Sequence, residues 1–225
     1  MDILPNEDLY TGLRRKALFK QDIYQMTKKT FQMFKDTFKQ MEAEFNERSV
    51  GMPNVEFSYT EYNDFKIKVS FGSDTIILLM HTNIFEFSRN HEVMRTQYIS
   101  EKKERSYCGM IMIYNYLSDS FKYDRVNDLG YMVGRIFINC ENHYYIEGKR
   151  ELGQLYNNFS SCIITPEKVR EICESAIRYT VNFDLLIPPY EVFKTVSVAE
   201  MNEDFMNAKM LTAKRLGYRF QADED

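Results

Sequence analysis

From Phe65 to Phe71 hydrophobic and polar residues alternate strictly. Phe65, Ile67, Val69 and Phe71 fall on one side, and Lys66, Lys68 and Ser70 on the other. That is the period-2 signal of a strand with one buried face. Gly72, Ser73 and Asp74 follow as a short turn-forming cluster, which predicts a hairpin. The return run, Ile76 to Met80, is apolar at every position. It predicts a strand inside a sheet that is covered on both sides.

Strand signals recur along the middle of the chain. Residues 55–62 alternate Val55, Phe57 and Tyr59 against Glu56, Ser58 and Thr60. Residues 107–117 are again apolar on both faces, and residues 121–126 suggest a short strand. Residues 131–140 place Met132, Ile136 and Ile138 on one face, and residues 143–147 close the series. Short polar turns separate these runs, so six or seven strands should form an antiparallel meander. Residues 89–106 are polar and charged and read as a plain solvated connection, with a lid or partner-contact segment as the alternative.

The flanks are helical. Over residues 21–48, Tyr24, Thr27, Phe31, Phe34, Phe38, Met41 and Phe45 recur at steps of three and four, one stripe down a helix. Such a stripe could be a coiled-coil seam or a membrane-surface face, but four phenylalanines suit the broad surface of a sheet better. Residues 4–12 read as an irregular entry. Near the other end, Thr165, Pro166 and Glu167 form a helix start: a capping hydroxyl, proline at the first helical position, then an acid. Val169, Ile172, Cys173, Ala176 and Ile177 form its buried stripe. Short helical and strand signals cover residues 149–159 and 192–196, and a capping box at Ser197 to Glu200 opens a last helix to Gly217.

Together these predict one α+β domain over residues 1–225. A mostly antiparallel meander sheet of six to seven strands (55–147) is packed between a long N-terminal amphipathic helix (within 1–50) and C-terminal helices (149–217). No repeat or linker divides the chain.

Composition sharpens this picture. The chain has no Trp but 16 Tyr and 17 Phe, so the core must be rich in Phe, Ile, Leu and Met. A formal net charge of -4 argues against general coating of nucleic acid. Charge is uneven, however: residues 14–39 carry eight basic side chains against Asp22 and Asp36. There is no secretory leader pattern and no run of membrane-span length. Cys108, Cys140, Cys162 and Cys173 show no paired spacing, which suits reduced thiols in a cytoplasmic protein.

Three sets of residues could carry chemistry. Glu147-Gly148-Lys149 is an E-x-K at a strand end. With Asp128 as partner acid it loosely resembles the PD-(D/E)xK pattern of metal-dependent nucleases. There, two carboxylates hold a divalent ion and the lysine positions the attacking water. The pattern lacks its Pro-Asp pair, and Glu101-Lys102-Lys103 is a second E-x-K. The next set is His81, Asn83, Asn115 and Arg135, polar residues within apolar strands. Brought together, they would line a pocket for an anionic or amide-bearing ligand. Last, Cys140 and His143 are three apart, but no second Cys/His pair completes a zinc site. There is no phosphate loop, nucleophile elbow or dinucleotide fingerprint. The reading is therefore a non-enzymatic binding or interaction module without a cofactor, its ligand or protein partner unspecified. Self-association through the Phe stripe is a further option. A metal-dependent hydrolase or nuclease using Asp128, Glu147 and Lys149, with nucleic acid as partner, is the alternative.

Overall fold

The computed structural model describes residues 6–51, 56–126, 128–149, 152–153 and 158–183, with isolated positions at 190 and 194–195. The N-terminal helix α1 spans Leu9–Arg48, about 60 Å of chain. Asp8 caps it by accepting from the Thr11 amide at 2.9 Å. It begins twelve residues before the expected start. Stepping back along the stripe from Thr27 by threes and fours gives Ile23, Lys20, Lys16, Leu13 and Leu9. Lysine holds two stripe positions, so the apolar period stops before the helix does.

Seven strands form one antiparallel sheet: β1 Phe57–Asn63, β2 Lys66–Phe71, β3 Asp74–Met80, β4 Phe85–Glu86, β5 Tyr107–Leu117, β6 Tyr131–Asn139 and β7 Tyr144–Gly148. The order is β1-β2-β3-β5-β6-β7, and β4 pairs with the start of β5 beyond the end of β3. Phe71 pairs with Asp74 across a two-residue turn. Gly72 adopts φ +55 there, a conformation that glycine reaches without a Cβ clash.

The inner face of the sheet carries Ile67, Val69, Ile76, Leu78, Ile111 and Ile136. Phe31, Phe34 and Phe38 of α1 lie on it, so the Phe stripe is spent on the sheet, as its aromatic width predicts. The C-terminal helix α4, Pro166–Val181, starts as expected, with the Thr165 hydroxyl accepting from the Lys168 amide. Its placement differs from the expectation. Val169, Ile172, Cys173 and Ala176 join the same core as the α1 phenylalanines. The two helices therefore share one face, clamped by Arg170 to Glu44 at 2.8 Å. The expected elements at 192–196 and 197–217, and most of 149–159, lie outside the described residues.

The outer face is covered instead by residues 89–106, which are folded rather than simply solvated. A 3₁₀ turn Glu92–Arg95, helix α2 Gln97–Glu101 and a second 3₁₀ turn Lys103–Ser106 follow one another. Val93, Tyr98 and Ile99 pack with Phe137, Tyr145 and Phe159 in a second core. Four apolar residues, Val93, Met94, Tyr98 and Ile99, among many charges leave no period to read. At the opposite end, residues 118–122 form the short helix α3, Ser118–Lys122, in place of the expected strand at 121–126. Phe121 packs edge-on against Tyr116 at 5.3 Å. A register shift between β5 and β6 at Ile113/Tyr114 turns Met132 to the outer face and buries Val133 in its stead.

Candidate functional site

The strands place their outward side chains in rows. One row runs Lys66, Leu79, Met112, Arg135, Glu147, and the next Lys68, Ile77, Tyr114, Met132. Between the 89–106 cover and α3 this face stays partly open: Leu79, Met112 and Tyr114 are half-buried and Met132 is 36% exposed. There the surface dips into a depression of about 530 Å³. Ile77, Leu79, Tyr114 and Tyr116 form its floor, Phe121 and Val126 part of its wall, and Lys66 its cationic edge. The loop at Gly130 lies so close that an added Cβ would meet the Tyr116 ring at 2.0 Å. Burial raises the Tyr116 phenol above its ordinary pKa. Lys66 lies over the Tyr62 ring at 4.7 Å, and Lys68 over the Phe121 ring at 5.7 Å. Lys66 at the edge and Lys68 beside it thus rest on aromatic faces, while Asp124 and Asp128 stand on the α3 side of the lining.

Asp128 also lines the depression, but its carboxylate is engaged. Ser120 donates to Oδ2 at 2.5 Å, and Arg125 Nε stands 3.1 Å from the same oxygen. Glu147 lies elsewhere on the outer face. Arg135, its cross-strand partner, donates to one oxygen, and His91 Nε2 lies 2.6 Å from the other. His91 Nδ1 accepts from the Val93 amide, so Nε2 carries the proton and donates to Glu147. This knot fastens the 89–106 segment to the sheet. In register, Glu147 aligns through Arg135 with Met112, and Asp128 lies beyond Tyr131, which aligns with Asn115. Three strand residues, about 10 Å, separate those two rows, and Asp128 lies further on. Lys149 follows β7, its amide bonded to the Val133 carbonyl. Among the described residues no group of three or more His, Cys, Asp and Glu is placed to hold a metal ion.

The four polar strand residues do not meet. Asn115 is buried on the helix-covered face, whereas Arg135 is on the outer one. His81 and Asn83 sit in the loop after β3, where the Asn83 amide donates to His81 Nδ1. Cys140 is half-buried with its sulfur toward the Glu104 carbonyl, and His143 stacks on Tyr98 at 5.1 Å. Residues of the depression went unread because their alternation marks an outer face without saying where its covers stop. Lys66 and Lys68 facing two doubly apolar strands were the available signal.

Among the described residues, no helix is long and apolar enough to cross a membrane. No protein-family model, curated protein or solved structure matches this chain.

Proposed function

We propose that this protein is a non-enzymatic binding module whose contact surface is the outer-face depression. The observation that carries the reading is the pairing of an apolar, tyrosine-rich floor with a lysine edge, on a face whose covers stop short of it. Its volume lies in the range of ligand sites, and such sites combine apolar lining with a few fixed polar groups. The ligand chemistry that fits is a flat apolar body with one anionic edge. The body would lie on Leu79, Ile77 and Tyr114, and the anion would face Lys66 and Lys68. Asp128 takes a structural part in this reading, holding the wall through Ser120 and Arg125. A reducing, cytoplasmic setting belongs to this reading, supported by four free cysteines.

The test is titration of the isotope-labelled protein with 8-anilinonaphthalene-1-sulfonate, a flat apolar anion, followed by amide chemical shifts. Saturable shifts should centre on β3 and β5 around Leu79 and Tyr114. Lys66→Glu should weaken binding by roughly tenfold, the scale of one charge-assisted contact. Shifts elsewhere, or none, would sink the assignment.

A further inference from the structure

The first turns of α1 point to a second, separate docking surface. From Ile23 onward the helix stripe is buried on the sheet; before it the stripe runs through half-buried Lys20 and Lys16 to exposed Leu13 and Leu9. Leu9 is 58% and Leu13 50% exposed, although each stands on the angular position that Phe31 and Phe34 fill in the core. Beside the stripe, α1 and the loop after β3 enclose a groove of about 640 Å³, walled by Ala17, Lys20 and Tyr24 on one side and by Thr82, Ile84 and Phe85 on the other. Lys20 is the charged residue of its lining; along the turns before it Arg14 and Lys16 add positive charge, with Asp8 at the helix cap as an acid. Arg14, Lys16 and Lys20 form no ion pair among the described residues, while Arg15 turns away to Glu7.

We propose that this groove docks an amphipathic helix with acidic flanks, supplied by a partner protein. In helix-in-groove recognition a docked helix lays anchors spaced three and four residues apart into an apolar groove; Ala17, Tyr24, Ile84 and Phe85 line this one, and exposed Leu13 and Leu9 continue its apolar row along α1. Lys16 and Lys20 stand within the apolar stripe rather than beside it. A lipid surface would have to bury those charges in its apolar layer, and a second copy of the chain would bring like charges together. Carboxylates at matching positions on a partner helix neutralise them. The groove is concave, which a rod fills and a membrane does not.

The probes are two synthetic amphipathic helices of about five turns with the same leucine stripe, one otherwise rich in Glu and the other in Lys. Fluorescence anisotropy with the full chain should show saturable binding of the acidic peptide, weakening as salt rises. Lys16→Gln/Lys20→Gln and, separately, Leu13→Asp should each raise its Kd by roughly tenfold or more. Leu13 is exposed and Lys16 and Lys20 are half-buried outside both cores, so helical dichroism and melting midpoint should stay at wild type. Leu79→Ala, on the outer-face depression, should leave peptide binding unchanged. Equal binding of both peptides, or binding indifferent to the α1 variants, overturns the proposal. So does a wild-type dimer in sedimentation that Leu13→Asp dissolves, which reassigns the surface to a second copy. Retention on phosphatidylserine vesicles that the double variant loses reassigns it to lipid.

Discussion

The two faces of the sheet are built from the same strands and differ in what closes them. The inner face is closed by two helices that present Phe31, Phe34, Phe38, Val169 and Ile172, and its strand residues are almost wholly buried. The outer face is closed in pieces. A folded connection covers one end, the five-residue helix α3 covers the other, and the depression lies between. Inner-face side chains are held by continuous packing, in which each lost methylene is felt. Outer-face pieces are fastened by polar knots, Glu147 with His91 and Arg135, and Glu141 with Lys102 and Arg105. The inner face therefore holds the larger core, while the outer one, with its smaller core under the 89–106 cover, keeps an open stretch free to carry contacts.

The strongest way to break this contrast is to truncate one residue on each face. Phe34→Ala should cost about 3–5 kcal/mol, the range for a buried aromatic. Met112→Ala, half-buried at the depression, should cost about 1 kcal/mol. Urea unfolding measures both, and equal costs would mean that the outer face is part of the main core.

Overpacking tests the closeness of the helix cover. A Cβ on Gly109 would lie 1.9 Å from the Thr27 hydroxyl, so α1 and β5 touch almost backbone to backbone there. Gly109→Ala should cost about 1–3 kcal/mol. Thr27→Ala should rescue it only in part, because the Thr27 Cβ itself stands 2.7 Å from the added atom. Full rescue in a double-mutant cycle would show that α1 can lift away from the sheet.

Inner-face packing was legible because its signals are local. The Phe stripe, the alternation in β2 and the Thr165-Pro166 helix start each occupy a few adjacent residues. What sequence left hidden depends on long-range closure. That α4 lies beside α1 rather than across the sheet follows from which core Val169 and Cys173 enter, and either face would have satisfied their period. The depression exists because α3 and the 89–106 cover end where they do. The cover itself rests on Val93, Tyr98 and Ile99, three residues in a charged stretch. The bulge that swaps Met132 for Val133 shows how one extra residue reverses a face assignment.

One inner-face residue runs against its surroundings. Asn115 is 2% exposed, and neither side-chain polar atom has a hydrogen-bond partner. Burying an unpaired amide costs free energy that an apolar side chain of similar branching avoids. Asn115→Leu should raise stability by about 1 kcal/mol, read as a higher melting midpoint with unchanged ligand titration at the depression. A lower midpoint would mean that the amide has a polar neighbour in solution.

The smallest effect concerns the fastening of the outer cover, and its sign follows from proton linkage. Partial burial pushes the Glu141 carboxyl up, but Lys102, Arg105 and Tyr98 as donors more than offset this and hold it below its ordinary value of 4.5. A carboxylate whose folded pKa is depressed stabilises fully above the unfolded value, and that contribution fades as pH falls through the folded value. Glu141→Gln should therefore cost at most about 1 kcal/mol at neutral pH, since the group is partly exposed and screened. The difference from wild type should shrink below about pH 4.5. Hydrogen exchange localises the effect. Amides of α2 and the flanking 3₁₀ turns should exchange faster in Glu141→Gln while those of β3 and β5 keep their protection, because the knot fastens a cover and not the sheet. Uniform loss of protection would tie the outer cover to the same cooperative unit as the inner face and erase the distinction between them.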